Sequence, residues 1–98
     1  KSKNVWERRM AVVATFAFIR NEEFSDTLAI TKLLLKDTHD LIHKACGWML
    51  REVGKRDKQV LVRFLSDNAS HMPRTMLRYA IERFTPTERV HYLAFKHA

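Results

Sequence analysis

Apolar residues recur along this chain at helical spacing, and each helical stretch opens on a residue suited to start a helix. Asn4 followed by Glu7 predicts a capping box for a first helix running through about Ile19. Ser25 or Asp26 predicts the start of a second, with Leu28, Ile30, Leu33, Leu34 and Leu35 as its apolar residues and an end near Lys36. Asp37 and Asp40 put acid at the start of a third helix, with Gly54 expected just past its end. Asp57 opens a fourth, through Phe64 and Leu65 to about Asn68. Pro73 stands in the first turn of a fifth, and Thr85-Pro86-Thr87-Glu88 opens a sixth. Connections of a few residues suit antiparallel neighbours. Two Gly and two Pro among 98 residues are too few for an all-β fold.

The helices also repeat. Arg9-Met10-Ala11, Lys44-Ala45-Cys46 and Arg78-Tyr79-Ala80 carry a basic–x–small pattern at separations of 35 and 34 residues. A period in the thirties with two helices per unit predicts an all-α, HEAT-like helical repeat solenoid: about six antiparallel helices in three stacked pairs. Residues 1–98 then form one domain, and the start at Lys1 suggests the C-terminal part of a longer solenoid. Alternate helices of such an array line the same wall.

Charge says which wall matters. The net charge is +7, and by blocks it is +4 over 1–20, −3 over 21–40, +3 over 41–60, +2 over 61–80 and +1 over 81–98. Positive charge avoids the second helix and gathers on the odd ones, which favours an anionic partner on one side. The single cysteine excludes an internal disulfide framework and a Cys-based zinc site. The longest apolar run, Met10–Ile19, falls short of a membrane span. No Gly-rich phosphate loop, carboxylate pair or Ser/His/Asp order stands out.

On the third helix, Ile42, Ala45, Cys46, Met49 and Val53 share a core stripe, while Lys44, Trp48, Arg51 and Lys55 gather opposite. A tryptophan among three cations is either a nucleic-acid surface, with phosphate contacts and a stacking face, or a packing residue against a neighbouring helix. Arg9 lies between Trp6, Val13 and Phe16, with Arg8 directed elsewhere; it either reaches an anion or pairs with an acid such as Asp40 or Glu52. Arg74 and Arg78 stand one turn apart on the fifth helix, as solvated charge or as backbone contacts. His39 and His43, four apart around Asp40, superficially fit a zinc-protease helix but lack a third ligand, so no metal is expected. Cys46 reads as a small buried hydrophobe.

Three segments carry a family resemblance: Trp6-Glu7-Arg8-Arg9-Met10-Ala11, Asp40 through Glu52 with its Gly47-Trp48-Met49-Leu50-Arg51-Glu52 run, and Pro73 through Ile81. Together they resemble the C-terminal half of the DNA alkylation repair (AlkD-like) DNA glycosylases. The resemblance implies a DNA-holding concave face and hydrolysis of the N-glycosidic bond of cationic N3- or N7-alkylpurines, a base excision repair reaction. It implies that Arg9 and Trp48 contact DNA at the lesion, with Arg8, Lys44, Arg51, Lys55, Arg74 and Arg78 along the backbone. The family's catalytic carboxylate lies upstream of the paired arginines, so no catalytic residue is expected in this chain. The expected partner is double-stranded DNA with alkylated purines, bound by a cytoplasmic monomer without cofactor, metal or membrane. Two other readings share the fold: a non-catalytic nucleic-acid-binding repeat, and a protein-interaction scaffold.

Overall fold

A computed structural model describes residues 4–94. Among the described residues there are seven α-helices and no strand: α1 (Val5–Ala14), α2 (Phe16–Arg20), α3 (Ser25–Leu33), α4 (Asp40–Arg56), α5 (Lys58–Asn68), α6 (Arg74–Ala80) and α7 (Pro86–Leu93). A single 3-10 turn, Ala69–His71, follows α5. Since only Thr15 separates α1 from α2, six helical stretches result, as the starts and stops predict.

Local chemistry accounts for most of the boundaries. Asn4 accepts hydrogen bonds from the Trp6 and Glu7 N–H groups, and Asp57 accepts one from Gln59. Thr85 and Glu88 form a reciprocal capping box, with Pro86 at the first helical position. The break at Thr15 has a visible cause: its hydroxyl donates to the Val12 carbonyl at 2.7 Å, and its N–H binds the same oxygen. Such back-bonding bends a helix. At the end of α2, the Glu23 N–H reaches Phe18 O and the Glu22 N–H reaches Ile19 O, each at 2.8 Å. This is a Schellman cap, with Glu22 at a φ of 62° in the place that favours glycine.

Four expected boundaries move. The second predicted helix stops at Leu33 rather than Lys36, and Phe24 stands at its N-cap with no side-chain cap bond, so neither Ser25 nor Asp26 caps it. The third starts at Asp40 behind His39, leaving Asp37 in the preceding turn. Gly54 does not end that helix, which continues to Arg56. A Cβ on Gly54 would come within 2.5 Å of Leu61 Cδ2 on α5, so the glycine serves the approach of two helices instead of a cap.

The 17-residue α4 is the axis of the molecule. It packs most extensively against α6, next against α1 and α5, and less against α2 and α3. Helices α1, α4 and α6 thus lie side by side, with α3 against α1 and α4, α5 against α4, and α7 against α6. The molecule is 18 Å thick along its shortest axis, about two helix diameters. The expected stripe Ile42, Ala45, Cys46, Met49 and Val53 is buried, joined by Leu50, Leu65, Met76, Leu77 and Ile81. Each large side chain so buried contributes roughly 1.5–3 kcal/mol. Gly47 admits α6: a Cβ there would lie 2.5 Å from Tyr79 Cβ and 2.6 Å from the Met76 carbonyl oxygen. That close approach positions the site.

Candidate nucleic-acid interface

A cleft of about 240 Å³ opens where α1, α4 and α6 meet. Its charged lining is Arg9, Lys44 and Arg51, and its aromatic lining is Trp48 and Tyr79; Leu41 and Ala45 complete it. Among the described residues, no carboxylate lines it. Arg9, Lys44 and Tyr79, which converge here, occur at equal intervals of 35 residues on three neighbouring helices.

Trp48 packs against a neighbouring helix and also borders the cleft. The half-buried indole packs against Phe16 of α2, with ring centroids 6.3 Å apart at 36°, and also lines the cleft. Packing fixes the ring in place, and the cleft gives it an accessible face. Tyr79, 36% exposed, lies across from it, held there by the close contact at Gly47. In the sequence Tyr79 is the middle residue of the basic–x–small triplet, a position to which that pattern assigns no role. The equal spacing from Arg9 and Lys44 is the signal that points to it.

The two adjacent arginines of α1 have different surroundings. Arg8 Nε donates to Asp37 Oδ2 at 2.8 Å, with side chains only 16% and 10% exposed. Burial alone would raise the Asp37 pKa, but the His39 N–H and the Arg8 guanidinium hold the carboxyl below its ordinary value. Arg9 makes no hydrogen bond or ion pair with a described residue. Both acids considered for it are engaged elsewhere: Asp40 with Lys44 at 3.3 Å, and Glu52 with Lys55 at 3.4 Å. The guanidinium of Arg9 is therefore available within the cleft.

The remaining candidates are spread more widely. Arg51 lines the cleft and pairs with Glu82 of the loop after α6. Lys55 lies beyond the cleft, lining a smaller adjoining cavity. Arg8 is outside the cleft, on Asp37. Arg74 donates to the Leu93 carbonyl at 2.7 Å, and Arg78 is exposed; neither lines the cleft. His39 caps α4 by accepting the Leu41 N–H, and His43 Nε2 lies 2.5 Å from the Asp37 carbonyl, so both imidazoles serve the turn before α4. Among the described residues, no three His, Cys, Asp or Glu side chains are grouped to hold a metal. Cys46 is fully buried, and burial pushes its thiol up to about 12, which removes it as a nucleophile near neutral pH. No helix among the described residues is long and apolar enough to cross a membrane.

Fold and cleft define an all-helical protein with a cationic, aromatic-lined groove on one wall. A family model described as DNA alkylation repair enzyme matches residues 1–84, and the chain belongs to that family. Membership gives it a role in DNA repair, with DNA as its substrate. Comparison with curated proteins and with solved structures yields no significant match.

Proposed function

We propose that this chain is the DNA-binding portion of an alkylpurine DNA glycosylase of the AlkD-like kind. In this reading its helices are HEAT-like antiparallel pairs of a solenoid, and the wall of α1, α4 and α6 faces double-stranded DNA. The single observation that carries it is the cleft: every charged residue lining it is a cation, two aromatic rings accompany them, and Arg9 has no acid partner among the described residues. The uniformly cationic charged lining is what favours a polyanion over a protein partner of mixed charge.

The chemistry agrees with this division of labour. An N3- or N7-alkylpurine already bears the positive charge that makes it a leaving group, so the reaction needs no protonation of the base. It needs stabilisation of a developing cationic sugar and a directed water, both tasks for a carboxylate. Trp48 and Tyr79 offer faces to an unstacked or cationic base. Arg9, Lys44 and Arg51 hold the phosphates around it. Because no carboxylate lines the cleft among the described residues, we assign DNA holding to this chain and the catalytic Asp to residues outside it. It acts as a cytoplasmic monomer, without cofactor or metal.

The test is fluorescence anisotropy with two duplexes, one intact and one bearing an abasic analogue. Preferential binding of the lesion duplex, weakened about tenfold or more in Arg9→Ala and in Trp48→Ala, is the expected result. Unchanged binding in both variants removes the cleft from the reading. Equal affinity for the two duplexes favours the second reading, a non-catalytic nucleic-acid-binding repeat. Excision of N7-methylguanine by this chain at a glycosylase's ordinary rate would overturn the assignment of catalysis to residues outside it.

A further inference from the structure

Arg51 lines two spaces. One is the cleft; the other is a cavity of about 70 Å³ at the C-terminal end of α4, where α4, α5 and the loop after α6 converge. Four charged side chains line this cavity, Arg51, Lys55, Lys58 and Arg83, and all are cations over an apolar floor that includes Leu61 and Phe84. At about 30 Å³ per water, its size suits one tetrahedral anion in place of two waters.

Acids are nearby but do not line it. Glu82 pairs with Arg51, Glu52 with Lys55 and Glu88 with Lys58, and all three lie outside the lining. The Lys58 ammonium is further fixed 4.8 Å above the Phe84 ring. Arg83 makes no hydrogen bond or ion pair with a described residue. The acids therefore hold three cations in place without occupying the space between them, and the exposed Lys58–Glu88 pair is weak enough to be shared with an incoming anion. The groove between α3 and α5 differs, since Asp67 lines it beside Lys32 and Arg63.

We propose that this cavity is a seat for a single DNA phosphate, distinct from the cleft and joined to it through Arg51. The inference rests on the reading of the cleft as a DNA site. Seven residues of α4 separate Trp48 from Lys55, about 10 Å at 1.5 Å per residue. With the duplex axis parallel to α4, a rise of about 3.4 Å per base step and the lesion at Trp48, the phosphate about three steps away lies level with the seat. Lys58 and Arg83 thereby become phosphate contacts, and Arg51 is shared by both sites.

The experiment uses a set of duplexes with an abasic analogue, each carrying one uncharged methylphosphonate at one to five steps on either side. In 0.1 M salt, the wild-type chain should lose about eightfold in affinity at a position near three steps on one side, separate from the losses beside the lesion that the cleft cations produce. Lys58→Gln and Arg83→Gln, both at exposed positions, should each weaken binding to the unmodified set, and together they should erase that positional loss. A loss that persists in the double variant, or one spread evenly over all positions, overturns the seat while leaving the cleft standing. Failure of the wild-type chain to bind any of the duplexes overturns both.

Discussion

Arg8 is bound to Asp37 at 2.8 Å across the junction of α1 and the turn before α4, while its neighbour Arg9, without an ion-pair partner among the described residues, lines the cleft with Trp48. Adjacent residues on a helix point about 100° apart, so one arginine joins the interior acid while the next reaches the cleft.

Arg8→Ala should therefore destabilise the fold by about 1–3 kcal/mol, the range for losing a charged hydrogen bond in a shielded place. Urea unfolding measures this, with duplex affinity of the folded variant little changed. Arg9→Ala should do the reverse, with affinity lost and the unfolding midpoint nearly constant.

The same pair sets a pH dependence. The Asp37 carboxyl is held below its ordinary value of 3.8, so it binds protons less readily in the folded state than in the unfolded chain. Its stabilising effect is complete above about pH 4 and is lost as pH falls through the folded value. Urea unfolding from pH 6 to pH 2 should show wild type losing more stability than Asp37→Asn, with the gap between them closing in acid. Parallel curves would mean that the pair contributes nothing.

The two glycines of α4 should respond differently to substitution. Gly47→Ala drives a Cβ into Tyr79 Cβ and the Met76 backbone, so α6 has to move. A loss of about 1–3 kcal/mol is expected, together with weaker duplex binding as Tyr79 is displaced. In Gly54→Ala the new methyl meets the end of the Leu61 side chain first, and alanine's better helix propensity offsets part of the cost. Its stability should stay within about 1 kcal/mol of wild type by thermal unfolding.

Glu22 occupies the left-handed position of the α2 cap with a φ of 62°. Glycine relieves the strain there at some entropic cost in the unfolded state, so Glu22→Gly should stabilise by about 0.5–1 kcal/mol. A destabilised variant would point to a role for the carboxylate that its exposed position does not suggest.

How far the chain can be read without coordinates depends on where the determining contacts lie. Asn4, Asp57 and the Thr85–Glu88 box act within a few residues, and each starts a helix where local rules place it. The core stripe of α4 follows from helical period alone. Gly54 misleads because a glycine before a charged run looks like a helix end, whereas its partner is Leu61 on another helix. Thr15 sits inside an apolar helical pattern, and only the back-bond to Val12 shows the break. Helical position separates Arg8 from Arg9 in sequence, but the partner of Arg8 is Asp37, 29 residues later, which no local pattern reveals. Tyr79 meets α4 at Gly47, a contact between distant segments, and in sequence only its spacing from Arg9 and Lys44 points to it.

The central claim is that Trp48 and Arg9 face DNA together. Trp6, 60% exposed, would obscure an emission signal and is replaced by phenylalanine in the measuring background. With Trp48 as the sole indole of the described structure, titration with a duplex bearing an abasic analogue should change its fluorescence with the same midpoint as anisotropy of the labelled DNA. Adding Arg9→Ala should shift both midpoints together by about tenfold or more. Binding by anisotropy with no change in the Trp48 emission, and with no effect of Arg9→Ala, would contradict the account.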